Sequence, residues 1–231
     1  MKYLICKKKN IIFGINPKCG CQHIHFIYNY LHNDDDKPVF YHNSYENLSN
    51  KYLNYKLILF VRNPYERIVS GFKEKYSNEW QKKNFPNTYS IPGIQYDKLT
   101  FRQFINELHN NRFKYINKHH FNYQYKSNYD FSKHKDIVVF DIKNIDYNYL
   151  SELFNKNIPN HLIEKKGNHT NTNIELFNEP VYDLENIVYR NYKIPLKYYF
   201  DSDIKRKIED IYHDDFLFLN KYNIDTSFPL C

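Results

Sequence analysis

"NIIFGINPKCGCQHIHFIYNYL", residues 10–31, decides how this chain is read, because it admits two interpretations. In one, Cys19, Cys21, His23 and His25 form a compact metal cluster. In the other, Asn16 to Cys21 form an anion cradle between a strand and a helix. "IIFGI" (11–15) is a short apolar run ending at Asn16-Pro17, the pattern of a buried strand. Ile24, Ile27, Tyr28 and Leu31 then recur at helical spacing on one face. The unit is strand, tight loop, helix.

That local reading bears on the cluster. Structural zinc sites pair ligands two to four residues apart and draw the second pair from elsewhere in the fold. Here all four stand within one short stretch, and residues two apart on a helix do not face each other. His23 and His25 therefore read as ordinary helix residues, and no metal is assigned. A cradle asks for a glycine where backbone approaches an anion, for amides at a helix N-terminus, and for a nearby cation. "NPKCGCQ" supplies Lys18, Gly20 and the amides from Gly20 to Gln22. The nucleotide P-loop, G-x-x-x-x-G-K-[ST], is a different pattern. Gly14 and Gly20 are wrongly spaced for it, and Lys18 precedes the glycine.

A second unit of the same kind follows. "KLILFV" (56–61) reads as a buried strand of a parallel sheet, and "RNPYERIVSGFKEKY" begins directly after it. Asn63 is suited to cap a helix, with Pro64 as its first residue. Tyr65, Ile68, Val69, Phe72 and Tyr76 form the apolar stripe of that helix. Arg62, at the carboxyl end of the strand, presents a planar, permanently charged fork suited to a phosphate dianion. Ser70 adds a hydroxyl on the helix. The competing reading is a surface salt bridge for Arg62 and a small residue at a helix contact for Ser70. Two anion motifs in order, each following a strand, favour the functional reading.

The remaining chain continues the alternation. Residues 77–98 read as a long surface loop, "TFRQFINEL" (100–108) as a short capped helix, and "DIVVFDI" (136–142) as a third strand. A helix around Tyr147 to Phe154 follows, then a loop over "EKKGNHTNTN" (164–173) and a closing helical region over 201–222. Strands alternating with helices imply an α/β fold with a largely parallel central sheet and helices on both faces. With 231 residues, 42% hydrophobic and 19% aromatic, the chain reads as one globular domain over 1–231.

A net charge of +7 favours anionic partners. No like-charge block exceeds Lys7-Lys8-Lys9 or Asp34-Asp35-Asp36, so a nucleic-acid arm is not supported. The four cysteines (Cys6, Cys19, Cys21, Cys231) make no disulfide framework in a chain of this size, which fits a reducing compartment. No long apolar segment is present, and the expectation is a soluble, cytoplasmic protein without a membrane span.

"PKCGC" resembles the 5′-phosphosulfate loop of sulfotransferases that use 3′-phosphoadenosine 5′-phosphosulfate, written P-K-x-G-[CST]-[ST] in the carbohydrate members. "RNPYERIVSGF" (62–72) is similar to that family's 3′-phosphate motif, R-x-P-x-x-R-x-x-S-x-[FY], at every specified position. "HFNYQ" (120–124) resembles the H-W-x-P-Q stretch of carbohydrate sulfotransferase family 2, with Phe for Trp and Tyr for Pro. "VVFDIKNID" matches the place of its next core strand, "KKGNHTN" a later basic loop closing over the nucleotide, and "IYHDDFLFLNKY" its ending. The resemblance covers roughly the whole chain and implies a three-layer, P-loop-like sulfotransferase fold. It implies a cofactor site of Pro17, Lys18, Cys19, Gly20, Cys21, Gln22, Arg62, Ser70 and Lys166. Two departures stand out. Gln22 replaces the usual Ser or Thr, and the membrane segment of Golgi-anchored relatives is missing.

Sulfuryl transfer needs in-line geometry and charge neutralisation on the leaving oxygen. Lys18 is the expected cation. By the resemblance, His120 is the expected base for the acceptor hydroxyl, with His119 beside it as the alternative. Lysine and arginine can supply the positive charge, so no metal is required. The expected reaction is transfer from the phosphosulfate donor to a hydroxyl, on a carbohydrate or another acceptor, releasing 3′,5′-ADP. The alternatives are a catalytically silent nucleotide- or glycan-binding protein of the same fold, a basic aromatic nucleic-acid binder, and a nucleotide kinase. The aromatics fall at core spacing rather than along one stacking face, which disfavours nucleic acid. The loop spacing disfavours the kinase.

Overall fold

The computed structural model describes residues 1–32, 52–76, 83–84, 91–116, 118–125, 131–134, 136–164, 179–185, 188–189 and 192–228. Its contacts divide the chain into two compact units, one of residues 1–62 with 124–170 and the other of 63–123 with 171–231.

The first unit holds the sheet. β1 (Lys2–Cys6) and β2 (Ile11–Ile15) form an antiparallel hairpin, turned by the lysines and by Asn10 in the left-handed region at φ 55°. An asparagine tolerates that conformation because its short polar side chain bonds locally. β3 (Lys56–Val61) pairs parallel with β2, and β4 (Ile137–Asp141) pairs parallel with β3, giving the order β1-β2-β3-β4. The mostly parallel sheet flanked by helices is the architecture expected from the sequence. The edge strand β1 was not expected. "DIVVFDI" is consequently the fourth strand, one residue shorter at each end than the run suggested.

β2 and β3 are flanked by strands on both sides and buried on both faces. This is why they read as continuous apolar runs without alternation. On one face Phe13 and Phe60 meet Tyr28 and Leu31 of α1 (Cys21–His32), and Leu150 and Phe154 of a later helix, Tyr147–Phe154. Phe13 is fully buried, with ring centroids of Tyr28, Phe60 and Phe154 at 5.3, 5.2 and 5.9 Å. Truncating such a ring to alanine costs about 3–5 kcal/mol. On the other face Gly14 keeps β2 clear of its neighbours. A Cβ there would lie 2.5 Å from Leu59 Cδ2 and 2.9 Å from Met1 Sδ, so both side chains would have to shift.

The second unit is helical and rich in aromatic residues. α2 (Pro64–Tyr76) starts as its sequence dictates, with Asn63 Oδ1 accepting the Tyr65 amide at 3.0 Å and Pro64 in the first turn. The stripe Tyr65, Ile68, Val69, Phe72 and Tyr76 is buried, but so are Glu66, Arg67, Gly71 and Lys75. The helix is therefore enclosed well beyond its apolar face. α3 (Phe101–Asn111) opens with a capping box between Thr100 and Gln103 and runs three residues beyond the expected end. A four-residue helix, α4 (Lys118–Phe121), follows. Tyr147–Phe154, in the first unit, is α5 and has the expected bounds; the short α6 (Asn160–Ile163) follows it.

The closing region splits at Tyr212 into α7 (Ser202–Ile211), capped by Asp201, and α8 (His213–Lys221). Phe72 packs against Phe101, Phe104 and Tyr189 with centroids 5.1–5.2 Å apart, at the centre of this unit's core. Of the expected surface loop 77–98, residues 77–82 and 85–90 lie outside the described residues. Residues 91–94 of that segment form a turn bridged between Ile91 and Ile94, with Ile91 buried, and the segment ends in a 3-10 helix, Tyr96–Lys98. Of the loop expected over 164–173, only Glu164 is described.

Candidate active site

The loop Asn16–Gly20 leaves the carboxyl end of β2 and enters α1. Pro17 and Cys19 are buried, and Lys18 is partly exposed. Lys18 and Gly20 both lie in the left-handed region, at φ 67° and 65°. For lysine that conformation costs about 1–2 kcal/mol, so the surrounding bonds must hold it there. At Gly20 the reason for glycine is the backbone angle. A Cβ would meet only Ile142, at an ordinary 3.6 Å. The helical ladder starts with Ile24 N–H donating to Gly20 O at 3.0 Å, so the amides before Ile24 lie outside the ladder at the positive end of the helix dipole. Gln22, in this first turn, is exposed.

The two thiols have separate tasks. The Cys21 thiol donates to Asn16 O at 3.0 Å, and the Cys19 thiol to Gln124 Oε1 at 3.1 Å. Burial pushes the Cys21 thiol above its ordinary range, outweighing the Lys18 charge that pulls it down. It stays protonated and ties the loop together. His23 pairs through Nε2 with the Tyr147 hydroxyl at 2.8 Å. Among the described residues, no group of three or more His, Cys, Asp or Glu side chains is placed to hold a metal.

Arg62 follows β3 as the loop follows β2, and Ile15 lies in register with Phe60, so both leave the same edge of the parallel pair. The Arg62 guanidinium approaches the loop through a long contact, Nη1 to Lys18 O at 3.4 Å. Gln124 joins the two. Its side-chain Oε1 accepts the Arg62 amide and its Nε2 donates to the Arg62 carbonyl, each at 2.8 Å. Its own carbonyl accepts Asn16 Nδ2 at 3.2 Å. Asn16 and Gln124 are each 1% exposed, and buried amides of this kind are retained when their bonds are made.

In the second unit, Ser70 is partly buried on α2 and His120 partly buried on α4. Arg67, one turn before Ser70, is buried and donates through Nη2 to His120 O at 3.3 Å. The Tyr212 hydroxyl donates to Phe121 O at 2.7 Å. Carbonyls at the end of a helix have no partner within it, and these two side chains supply partners to α4.

A family model described as the sulfotransferase family matches residues 1–223. The chain belongs to the sulfotransferase family. The resemblance to sulfotransferase family 2 is thereby borne out. No curated protein and no solved structure is matched by the chain. Among the described residues, no helix of this sulfotransferase is long and apolar enough to cross a membrane.

The first unit brings together Pro17, Lys18, Cys19, Gly20, Cys21, Gln22 and Arg62; the second carries Ser70 and His120. Lys166 lies outside the described residues. The sequence reading assigned no role to Gln124 or Arg67. Both stand inside quoted motifs, "HFNYQ" and "RNPYERIVSGF", and those resemblances were the only signal that pointed to them.

Proposed function

We propose that this sulfotransferase transfers the sulfuryl group of 3′-phosphoadenosine 5′-phosphosulfate to a hydroxyl on a carbohydrate. The observation that carries the reading is the loop Asn16–Gly20. Its left-handed residues Lys18 and Gly20 open α1, and the Arg62 guanidinium contacts the same loop. A backbone turn of this kind at a helix N-terminus suits an anion, and the residues present fit a phosphosulfate group.

When bound, the donor supplies the sulfuryl group and departs as 3′,5′-ADP. Lys18 neutralises charge on the leaving oxygen, and the first-turn amides of α1 orient the group. Arg62 and Ser70 are the candidate readers of the 3′-phosphate, Arg62 through its planar fork. His120 is the candidate to take the proton of the acceptor hydroxyl, with Arg67 holding the backbone that presents it. Lys166 is retained as a further nucleotide contact on the resemblance alone.

Incubating the purified protein with donor labelled in the sulfuryl group and an array of glycans tests this. The expected result is label on a subset of the glycans, with release of 3′,5′-ADP. Tight binding of 3′,5′-ADP without transfer to any glycan, protein or small hydroxyl acceptor would support the silent binding protein instead.

A further inference from the structure

Gln124 stands far along the chain from the residues it holds, and all of these bonds lie within the sheet unit. Its amide meets both backbone groups of Arg62, the two-bond pattern by which a neighbouring strand holds a residue. One residue earlier, Val61 O accepts the Ile142 amide at 3.0 Å, so the polypeptide beyond β4 still covers position 61. Gln124 takes over at position 62. The oxygen that accepts from Arg62 N–H also accepts the Cys19 thiol, and the Gln124 carbonyl holds Asn16. A single buried side chain and its own carbonyl thus fix the anion loop at two points and Arg62 at two more.

We propose that Gln124 is a positioning residue that sets the anion loop in register with Arg62, and so sets the separation of the two phosphate groups the enzyme accepts. The inference rests on the function proposed above, in which the loop takes the 5′ group and Arg62 the 3′-phosphate. Gln124 touches neither group. It acts through the backbone of Arg62 and through Asn16 and Cys19. The chemistry selected is a nucleoside carrying phosphates at both the 3′ and 5′ positions.

The test is a double-mutant cycle on 3′,5′-ADP affinity, using Gln124→Met, which keeps the volume and removes the amide. Calorimetry is expected to show that Arg62→Ala weakens binding at least about tenfold in the wild-type background and less than about threefold in Gln124→Met. A merely structural glutamine would lower the melting temperature and leave the effect of Arg62→Ala the same in both backgrounds, which overturns the proposal. Equal wild-type affinity for 3′,5′-ADP and 5′-AMP overturns the functional reading instead. Amide exchange then judges the clamp without nucleotide. Exchange at Arg62 N–H should rise at least about tenfold in Gln124→Met, and unchanged protection overturns the clamp. Should Gln124→Met not fold, Gln124→Glu carries the same cycle without the exchange measurement, because it loses the donor to Arg62 O while its carboxylate still accepts the Arg62 amide.

Discussion

After β2 the chain passes through Asn16–Gly20, with two left-handed residues, before α1 begins; after β3 it needs only Arg62 and Asn63 to reach α2. The first crossing is slow and spends its residues on backbone shape. Its side chains Asn16, Cys19 and Cys21 are turned to holding that shape. The second is abrupt, with Asn63 capping and Pro64 starting the helix at once. The helices differ accordingly. α1 is buried along one face, whereas α2 is buried on most sides, charged residues included. In the function proposed above, the same strand–turn–helix plan yields one segment that offers amides to an anion and another that offers a guanidinium and a hydroxyl.

That contrast can be broken at three points. The largest effect is expected at Lys18, whose ammonium is the loop's one functional side chain in this reading. Lys18→Ala should reduce turnover by about 10²–10³-fold, the scale for removing one group that stabilises charge in the transition state. Its melting temperature should stay near that of the wild type. Normal turnover in this variant would transfer the cation's role to another residue.

A smaller effect, on binding, sharpens the second segment. If Arg62 reads the 3′-phosphate, wild-type protein should prefer 3′,5′-ADP to 5′-AMP, and Arg62→Ala should lose about 1.5–3 kcal/mol of that preference. Calorimetry with both nucleotides measures it. A preference that survives the substitution would mean that the 3′-phosphate is read elsewhere.

The smallest effect is expected from the thiols. Cys19→Ser with Cys21→Ser keeps a donor at each position, toward Gln124 Oε1 and Asn16 O, so the fold and nucleotide affinity should change little. Metal analysis with a melting curve run with and without chelator completes the test, since a structural zinc site couples metal to folding. One zinc per chain with a chelator-sensitive transition would restore the cluster reading of Cys19, Cys21, His23 and His25.

Local pattern carried far in this chain. "KLILFV" announces its strand through an unbroken apolar run and forms within the expected bounds, and the capped helix read over "TFRQFINEL" forms but runs three residues further. The hairpin strand "KYLIC" went unread because five residues before a lysine turn carry little periodic signal. Arg67 shows a different limit. A charged residue on an amphipathic helix ordinarily faces solvent, but here it is buried against the carbonyl of His120.

The sequence by itself determined the strands β2, β3 and β4 and the helices α1, α2, α3 and α5, where α2 and α3 begin, and that Gly20 stands in the loop before α1. These follow from side-chain period, capping groups and the steric freedom of glycine, all expressed within a few residues. Only the tertiary structure decided that β1 joins the sheet, that α2 is enclosed, and that Gln124 links Asn16 and Cys19 to Arg62. The reason is physical. A buried amide or guanidinium is satisfied by whichever partners the folded backbone brings within 3.5 Å, and those of Gln124 lie 62 to 108 residues away in the chain.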